Sequence, residues 1–234
     1  MSLDLCTWNV GNASNAKVLK DLLALLDQCD VLALQEVGDR GAVLHQVCVQ
    51  TGARLVRFSG EGRSSGHVAL LVTKGIKVTS SDITLISPKT YVGRLVAGSR
   101  KTGYAEPKYI VRATVRKAGD RKPYPVGVTH LVPSTSNPAN GKARSLYRRQ
   151  VDGCVRWMLT RKAGRPVVLC MDANAGPMRK LLAGLRKIAA YIAPRSHGRR
   201  RIDHMWLRNC AASNVRAVKT SSDHRAVLAT ITPA

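Results

Sequence analysis

A set of polar side chains sits where apolar runs begin or stop. Asn9 ends LCTWN, Glu36 ends VLALQE and His130 interrupts GVTHLV. Asp172 and Asn174 end VVLCMDAN, Asp203 lies in RIDHMW, and Asp223 and His224 stand in front of RAVLATIT. Each has a plain explanation alone. An Asn makes a turn, a carboxylate caps a helix, and a histidine is satisfied in a core. Together they have a chemistry. Carboxylate and amide oxygens are hard ligands that suit Mg²⁺ or Mn²⁺. Two histidines and a separate aspartate supply proton transfer and orientation. Phosphoryl transfer asks for these parts: a hard cation to take up charge, a group to position water, and donors on the phosphate oxygens. Asp223 and His224 are adjacent, so an extended backbone sends them to opposite faces.

Something must hold these ends together. Short apolar runs at 3–8, 30–36, 67–74, 77–86, 109–116, 125–132, 166–174, 202–207 and 225–232 read as strands. Helices are predicted over 14–28, where Val18, Leu22, Leu25 and Leu26 fall at helical spacing, and over 41–52, which ends in Gly. Two more are predicted over 143–164, also ending in Gly, and over 176–192, with Pro177 in the first turn. Segments 57–66, 87–108, 133–143 and 193–201 are rich in Gly, Ser, Pro and basic residues and read as surface loops. The alternation implies a layered α/β sandwich with mixed sheets. No linker divides the chain, so one domain over 1–234 is expected.

The series TWNV (7–10), LQEV (34–37), VTHL (128–131), MDAN (171–174), RID (201–203) and SDH (222–224) resembles the endonuclease/exonuclease/phosphatase superfamily, in its order and over nearly the whole chain. RRQ (148–150) is a further point of likeness. The resemblance implies a deoxyribonuclease I-like four-layer sandwich: two packed mixed β-sheets flanked by helices, with the site at one edge. It implies Glu36 as principal metal ligand, with Asn9 and Asp223 completing the metal's surroundings. Asp172 would orient the attacking water and Asn174 would bond a phosphate oxygen. His224 would contact the scissile phosphate or act as base, its tautomer fixed by Asp203. His130 would donate to a non-bridging oxygen or protonate the leaving group. In the deoxyribonuclease I branch that histidine has a Glu partner before the third core strand. RSSGH (63–67) has none, and Glu61 is the nearest acid.

The chain of 234 residues carries 38 Lys+Arg against 14 Asp+Glu, a formal charge of +24. Charge on this scale attracts polyanions. Arg144, Arg148 and Arg149, and Arg199, Arg200 and Arg201, are the expected phosphate contacts. Such contacts position a strand without reading its sequence. Aromatic residues are only 4 % of the chain, which argues against a binder built wholly on base stacking. The six cysteines show no CxxC spacing and read as buried thiols of a reducing compartment. No leader is read in residues 1–10 and no apolar run reaches membrane-span length. The expectation is an intracellular monomer, cytoplasmic or at nucleoid or nucleus, viral or mobile-element origin included. It uses Mg²⁺, with Mn²⁺ able to substitute, and cuts DNA, or RNA, as a nuclease of low sequence specificity. An abasic-site endonuclease or 3′-exonuclease, a phosphoinositide-type phosphatase and a non-catalytic DNA-binding module are the alternatives, the last the weakest.

Overall fold

The computed structural model describes residues 2–58, 67–93, 103–120, 122–133, 141–161 and 164–234. Two six-stranded sheets stack face to face. The first runs in the order β13 (Cys210–Val218), β14 (Ala226–Pro233), β1 (Leu3–Asn9), β2 (Val31–Gln35), β4 (Val68–Val72) and β3 (Arg54–Val56). The second runs β11 (Ala190–Ile192), β12 (Asp203–Arg208), β10 (Val167–Asp172), β9 (Tyr124–His130), β8 (Lys108–Lys117) and β5 (Ile76–Ser87). Within them, β1 and β2 run parallel, as do β9 and β10, and the other pairs are antiparallel. β6 (Thr90–Gly93) and β7 (Gly103–Ala105) form a separate two-stranded ribbon.

Alternation of side chains builds the layers. Leu3 and Leu5 of β1 enter the core between the sheets, while Cys6 and Trp8 face α1 (Asn15–Leu26) and α2 (Gly41–Thr51). In β10, Val168 and Cys170 point between the sheets, and Val167, Leu169 and Met171 face α3 (Gly141–Leu159) and α4 (Ala183–Ile188). This is the four-layer α/β sandwich. Val18, Leu22, Leu25 and Leu26 of α1 are buried as their spacing predicts. Each such fully buried aliphatic side chain contributes roughly 1.5–3 kcal/mol.

Three readings need correction. The helix predicted over 176–192 is a 3-10 turn at Lys180–Leu182, then α4, then β11. Ala190–Ile192 leaves the helix because it pairs as an edge strand with β12, Tyr191 opposite Trp206. The segment 87–108, read as loop, contains β6 and β7. The closing strands are three, not two. β13 is mostly exposed and lacks an apolar row, so periodicity passes over it.

Candidate active site

The inner row of each central strand ends in a polar residue at the same end of the sandwich. Leu3 and Leu5 lead by alternation to Thr7 and Asn9. Val31 and Ala33 lead to Gln35, Val126 and Val128 to His130, Val168 and Cys170 to Asp172, and Leu207 and Met205 back to Asp203. Register aligns them: Asn9 lies opposite Gln35, and Asp172 opposite both His130 and Asp203. The two sheets are joined here by Asn9, whose Nδ2 donates to Glu36 Oε1 at 3.0 Å and to Asp172 Oδ2 at 2.9 Å.

Glu36 is the first residue beyond β2 and adopts φ 56°, a left-handed conformation uncommon for a residue with a Cβ. Arg40 holds the turn, donating to Glu36 O at 2.8 Å and to Gly11 O at 2.7 Å. Gly11, at φ 44°, is required: a Cβ there would lie 2.7 Å from Asp223 Oδ1 and 2.9 Å from Ser222 Oγ. Ser222 Oγ in turn donates to Asn9 O at 3.0 Å and accepts from His224 N at 3.1 Å. The chain's two ends thus brace one another at the site.

His130 Nε2 lies 3.7 Å from Glu36 Oε1 and 3.7 Å from Asp172 Oδ2. Asn174, at φ 50°, places its Nδ2 3.1 Å from His130 Nε2 and donates to Leu131 O at 2.8 Å. The carbonyl fixes the amide's orientation, so His130 Nε2 accepts from it and the ring proton sits on Nδ1. Burial pushes His130 well below the usual imidazole value, helped by the charges of Lys108, His224 and His67. Asp172 is buried and accepts from Asn9 and from Asn174 N at 2.7 Å. Burial, then the neighbouring Asp203, push its carboxyl up to about 7 against the pull of His224.

His224 is the opposite case. Its Nδ1 lies 2.8 Å from Oδ2 of the fully buried Asp203. Burial alone would lower its pKa. The hydrogen bond to Asp203 and the charges of Asp203, Asp172 and Asp223 override this and raise it to about 9. His197 Nε2 lies 3.2 Å from Asp223 Oδ2, and its ring stands 4.6 Å from that of His224, centroid to centroid. Burial works against ionisation of Asp223, but the charges and hydrogen bonds of His224 and His197 hold it below the usual value.

A divalent cation fits the first group. Glu36, Asp172 and a neutral His130 turn acceptor atoms toward one another within 4.8 Å, and Glu36 is 40 % exposed, open to a ligand. Asn9 Nδ2 bridges the two carboxylates and Asn174 Nδ2 meets His130 Nε2, so a cation bound here would take the place of these donors.

The sequence profile of the Endonuclease/Exonuclease/phosphatase family matches residues 6–224. The chain belongs to that family. Its members are hydrolases of phosphoesters and are generally dependent on a divalent metal. No curated protein matches the chain in sequence. Solved structures do match in fold. The mannosyl-6-phosphatase Bt3783 of Bacteroides thetaiotaomicron is 12 % identical, with 99 % of this chain and 100 % of that one covered and a TM-score of 0.72. The human nocturnin catalytic domain with bound sulfate is 17 % identical, with 100 % and 95 % covered and a TM-score of 0.70. D. rerio TDP2 complexed with single strand DNA product is 15 % identical, with 99 % of each chain covered and a TM-score of 0.69.

On the family's frame, the residues singled out in sequence come together as Asn9, Glu36, His130, Asp172 and Asn174 on one side and Asp203, Asp223 and His224 on the other. Two placements differ from expectation. Asn174 has its amide nitrogen engaged by His130 and Leu131 O, so here it positions His130. Asp223 stands with His197 and His224, while Glu36 stands with His130 and Asp172. Glu61 lies outside the described residues. Of RRQ, Gln150 accepts from Val132 N at 3.0 Å and donates to Ser87 Oγ at 3.0 Å. Beside it Tyr147 donates to Ala173 O at 2.6 Å. α3 therefore pins the chain just beyond His130 and Asp172. Arg148 and Arg149 are exposed, and Arg144 is half-buried. Arg199, Arg200 and Arg201 are exposed on a turn closed by the His197–Arg200 bridge.

Sequence reasoning missed His197 and Lys108. His197 stands six residues before Asp203 in a basic turn, and its only signal was that nearness. Lys108 opens β8. Burial pushes its ammonium down from the ordinary value, against the carboxylates of Glu36, Asp172 and Glu106. No motif marks it, because only the pairing of β8 with β9 brings it to the site.

Proposed function

We propose that this chain is a metal-dependent phosphodiesterase that hydrolyses DNA, an endonuclease of low sequence specificity that nicks duplex DNA. The observation that carries the reading is the pairing of opposites across one cleft. Converging acceptors of Glu36, Asp172 and neutral His130 face a histidine held charged by Asp203. A divalent ion bound at the Glu36, His130 and Asp172 group would supply charge to offset that developing on the phosphate oxygens. Asp172 receives the proton of the attacking water as its oxygen bonds phosphorus. His224, its Nδ1–H held by Asp203, presents Nε2–H to a phosphate oxygen while the phosphorus–oxygen bond to the leaving sugar breaks and that sugar oxygen takes up a proton from water. Asn174 holds His130, and Asp203 holds His224.

The formal charge of +24 supports a polymeric phosphate over a small one, since exposed arginines steer and grip a backbone. Arg148, Arg149, Arg199, Arg200 and Arg201 are exposed for this. D. rerio TDP2, complexed with single strand DNA product, supports a DNA substrate on this fold.

The test is a substrate panel with Mg²⁺, with Mn²⁺ and with EDTA. Supercoiled plasmid should be nicked with either metal and left intact with EDTA. Cleavage of abasic DNA alone would move the reading to the abasic-site class. Release of phosphate from an inositol phosphate with plasmid untouched would overturn it.

A further inference from the structure

Most of the aromatic side chains are placed for packing. Trp8, Trp157, Trp206, Tyr109, Tyr124 and Tyr147 are buried. Tyr91 and Tyr104 are not: they are 46 % and 58 % exposed, directly opposite one another on β6 and β7. Their rings meet edge to face, with centroids 5.4 Å apart. Each carries a lysine. Lys142 Nζ lies 5.3 Å from the centre of the Tyr91 ring, and Lys89 Nζ lies 5.4 Å from that of Tyr104. The ribbon belongs to neither large sheet, yet it is anchored. Its buried Val92 and Ala105 join Leu131, Val132 and Ala143 in one apolar cluster. Leu131 follows His130 directly, so the ribbon is anchored to the same apolar cluster as the residue next to His130.

Leaving two large rings in water forgoes the burial that a core position would give. A paired aromatic surface flanked by ammonium groups matches what an unpaired nucleotide offers: a flat base to stack and a phosphate to neutralise. Duplex DNA keeps its bases stacked inside and has no face to offer these rings. The sandwich does not need them either, because the anchoring is done by Val92 and Ala105 on the other face of the ribbon.

We infer that Tyr91 and Tyr104, with Lys89 and Lys142, form a stacking platform for an unpaired DNA base next to the scissile phosphate. This rests on the nuclease reading and deepens it. The enzyme would grip duplex DNA through its arginines and prefer sites where a strand is unpaired, such as a flap, gap or bubble.

The experiment uses the full-length protein in EDTA, so that binding is read without cleavage. Labelled single-stranded and duplex oligonucleotides of one sequence are titrated by fluorescence anisotropy, and a 2-aminopurine in the single strand reports stacking. The Tyr91→Ala/Tyr104→Ala variant should bind the single strand about tenfold more weakly, equal to about 1.4 kcal/mol. It should bind duplex within twofold of wild type and leave 2-aminopurine unquenched. Tyr91→Phe/Tyr104→Phe keeps the rings and should restore both signals. Unchanged single-strand binding, or an equal loss on duplex, overturns the platform. Tighter wild-type binding of single-stranded RNA than DNA overturns the assignment to DNA. A wild type that nicks plasmid but shows no tyrosine dependence leaves the nuclease reading standing and removes the platform alone. A wild type that neither binds nor cuts any DNA removes both.

Discussion

His130 and His224 lie at the same end of the sandwich, and one ring is neutral while the other is charged. His130 is half-buried, has the amide of Asn174 at hydrogen-bond distance, and stands 3.7 Å from oxygens of Glu36 and Asp172. Burial wins there and the ring is neutral. His224 is more enclosed still, but Asp203 Oδ2 is 2.8 Å from its Nδ1. A direct bond to a buried carboxylate outweighs desolvation, and the ring is held charged with a pKa of about 9. About one ångström in carboxylate distance thus accompanies the difference between a neutral ring and a charged one. Asp172 lies between the two and touches both environments, its pKa raised to about 7.

The largest effect should come from that shared residue. Asp172→Asn keeps the side chain's shape but removes the proton acceptor, the charge and one of the two hydrogen bonds the carboxylate accepts. Plasmid nicking should fall about a thousandfold, within the range of general base catalysis. Thermal unfolding should shift little, because the lost hydrogen bond is offset by removal of a buried carboxylate beside Asp203. Activity within tenfold of wild type would mean that the water is activated elsewhere.

Asp203→Asn tests the cause of the contrast. With the buried anion gone, His224 should behave as His130 does. Its pKa, followed by NMR of the imidazole, should drop from about 9 to 6.5 or below. Nicking should fall about a hundredfold as the ring loses its charge at neutral pH. A linked stability effect has a definite sign. The wild-type folded value lies above the unfolded one, so the pair's contribution is full below about pH 6.5 and fades as pH rises through about 9. The variant should lose that dependence. An unmoved His224 titration would show that Asp203 is not what charges it.

The contrast was only partly legible in the sequence. Apolar runs capped by single polar residues marked Asn9, Glu36, His130, Asp172 and Asp203, because a strand's period of two is short-range and survives in any window. The same periodicity could not say that Asn9 would cross between sheets to reach Asp172 and that Glu36 and Asp223 would stand in different groups. Those facts depend on which strands pair. His197 and Lys108 were invisible for the same reason, since neither interrupts an apolar row. α4 was overextended because Ala190, Tyr191 and Ile192 fit a helix as well as a strand, and only pairing with β12 decides. β13 was missed because its face is turned to water.

The smallest effect discriminates between the two sides most directly. A metal entering the Glu36, His130 and Asp172 group must displace the proton that Asp172 holds up to about pH 7. Mn²⁺ affinity, measured by electron paramagnetic resonance, should therefore improve up to tenfold per pH unit below about 7 and level off above it. A metal entering the His197, Asp223 and His224 group would instead compete with the proton of His224, and its affinity would keep rising to about pH 9. The position of the plateau assigns the ion to one histidine's side. In Asp172→Asn the slope below pH 7 should vanish if the first group binds, and persist unchanged if the second does.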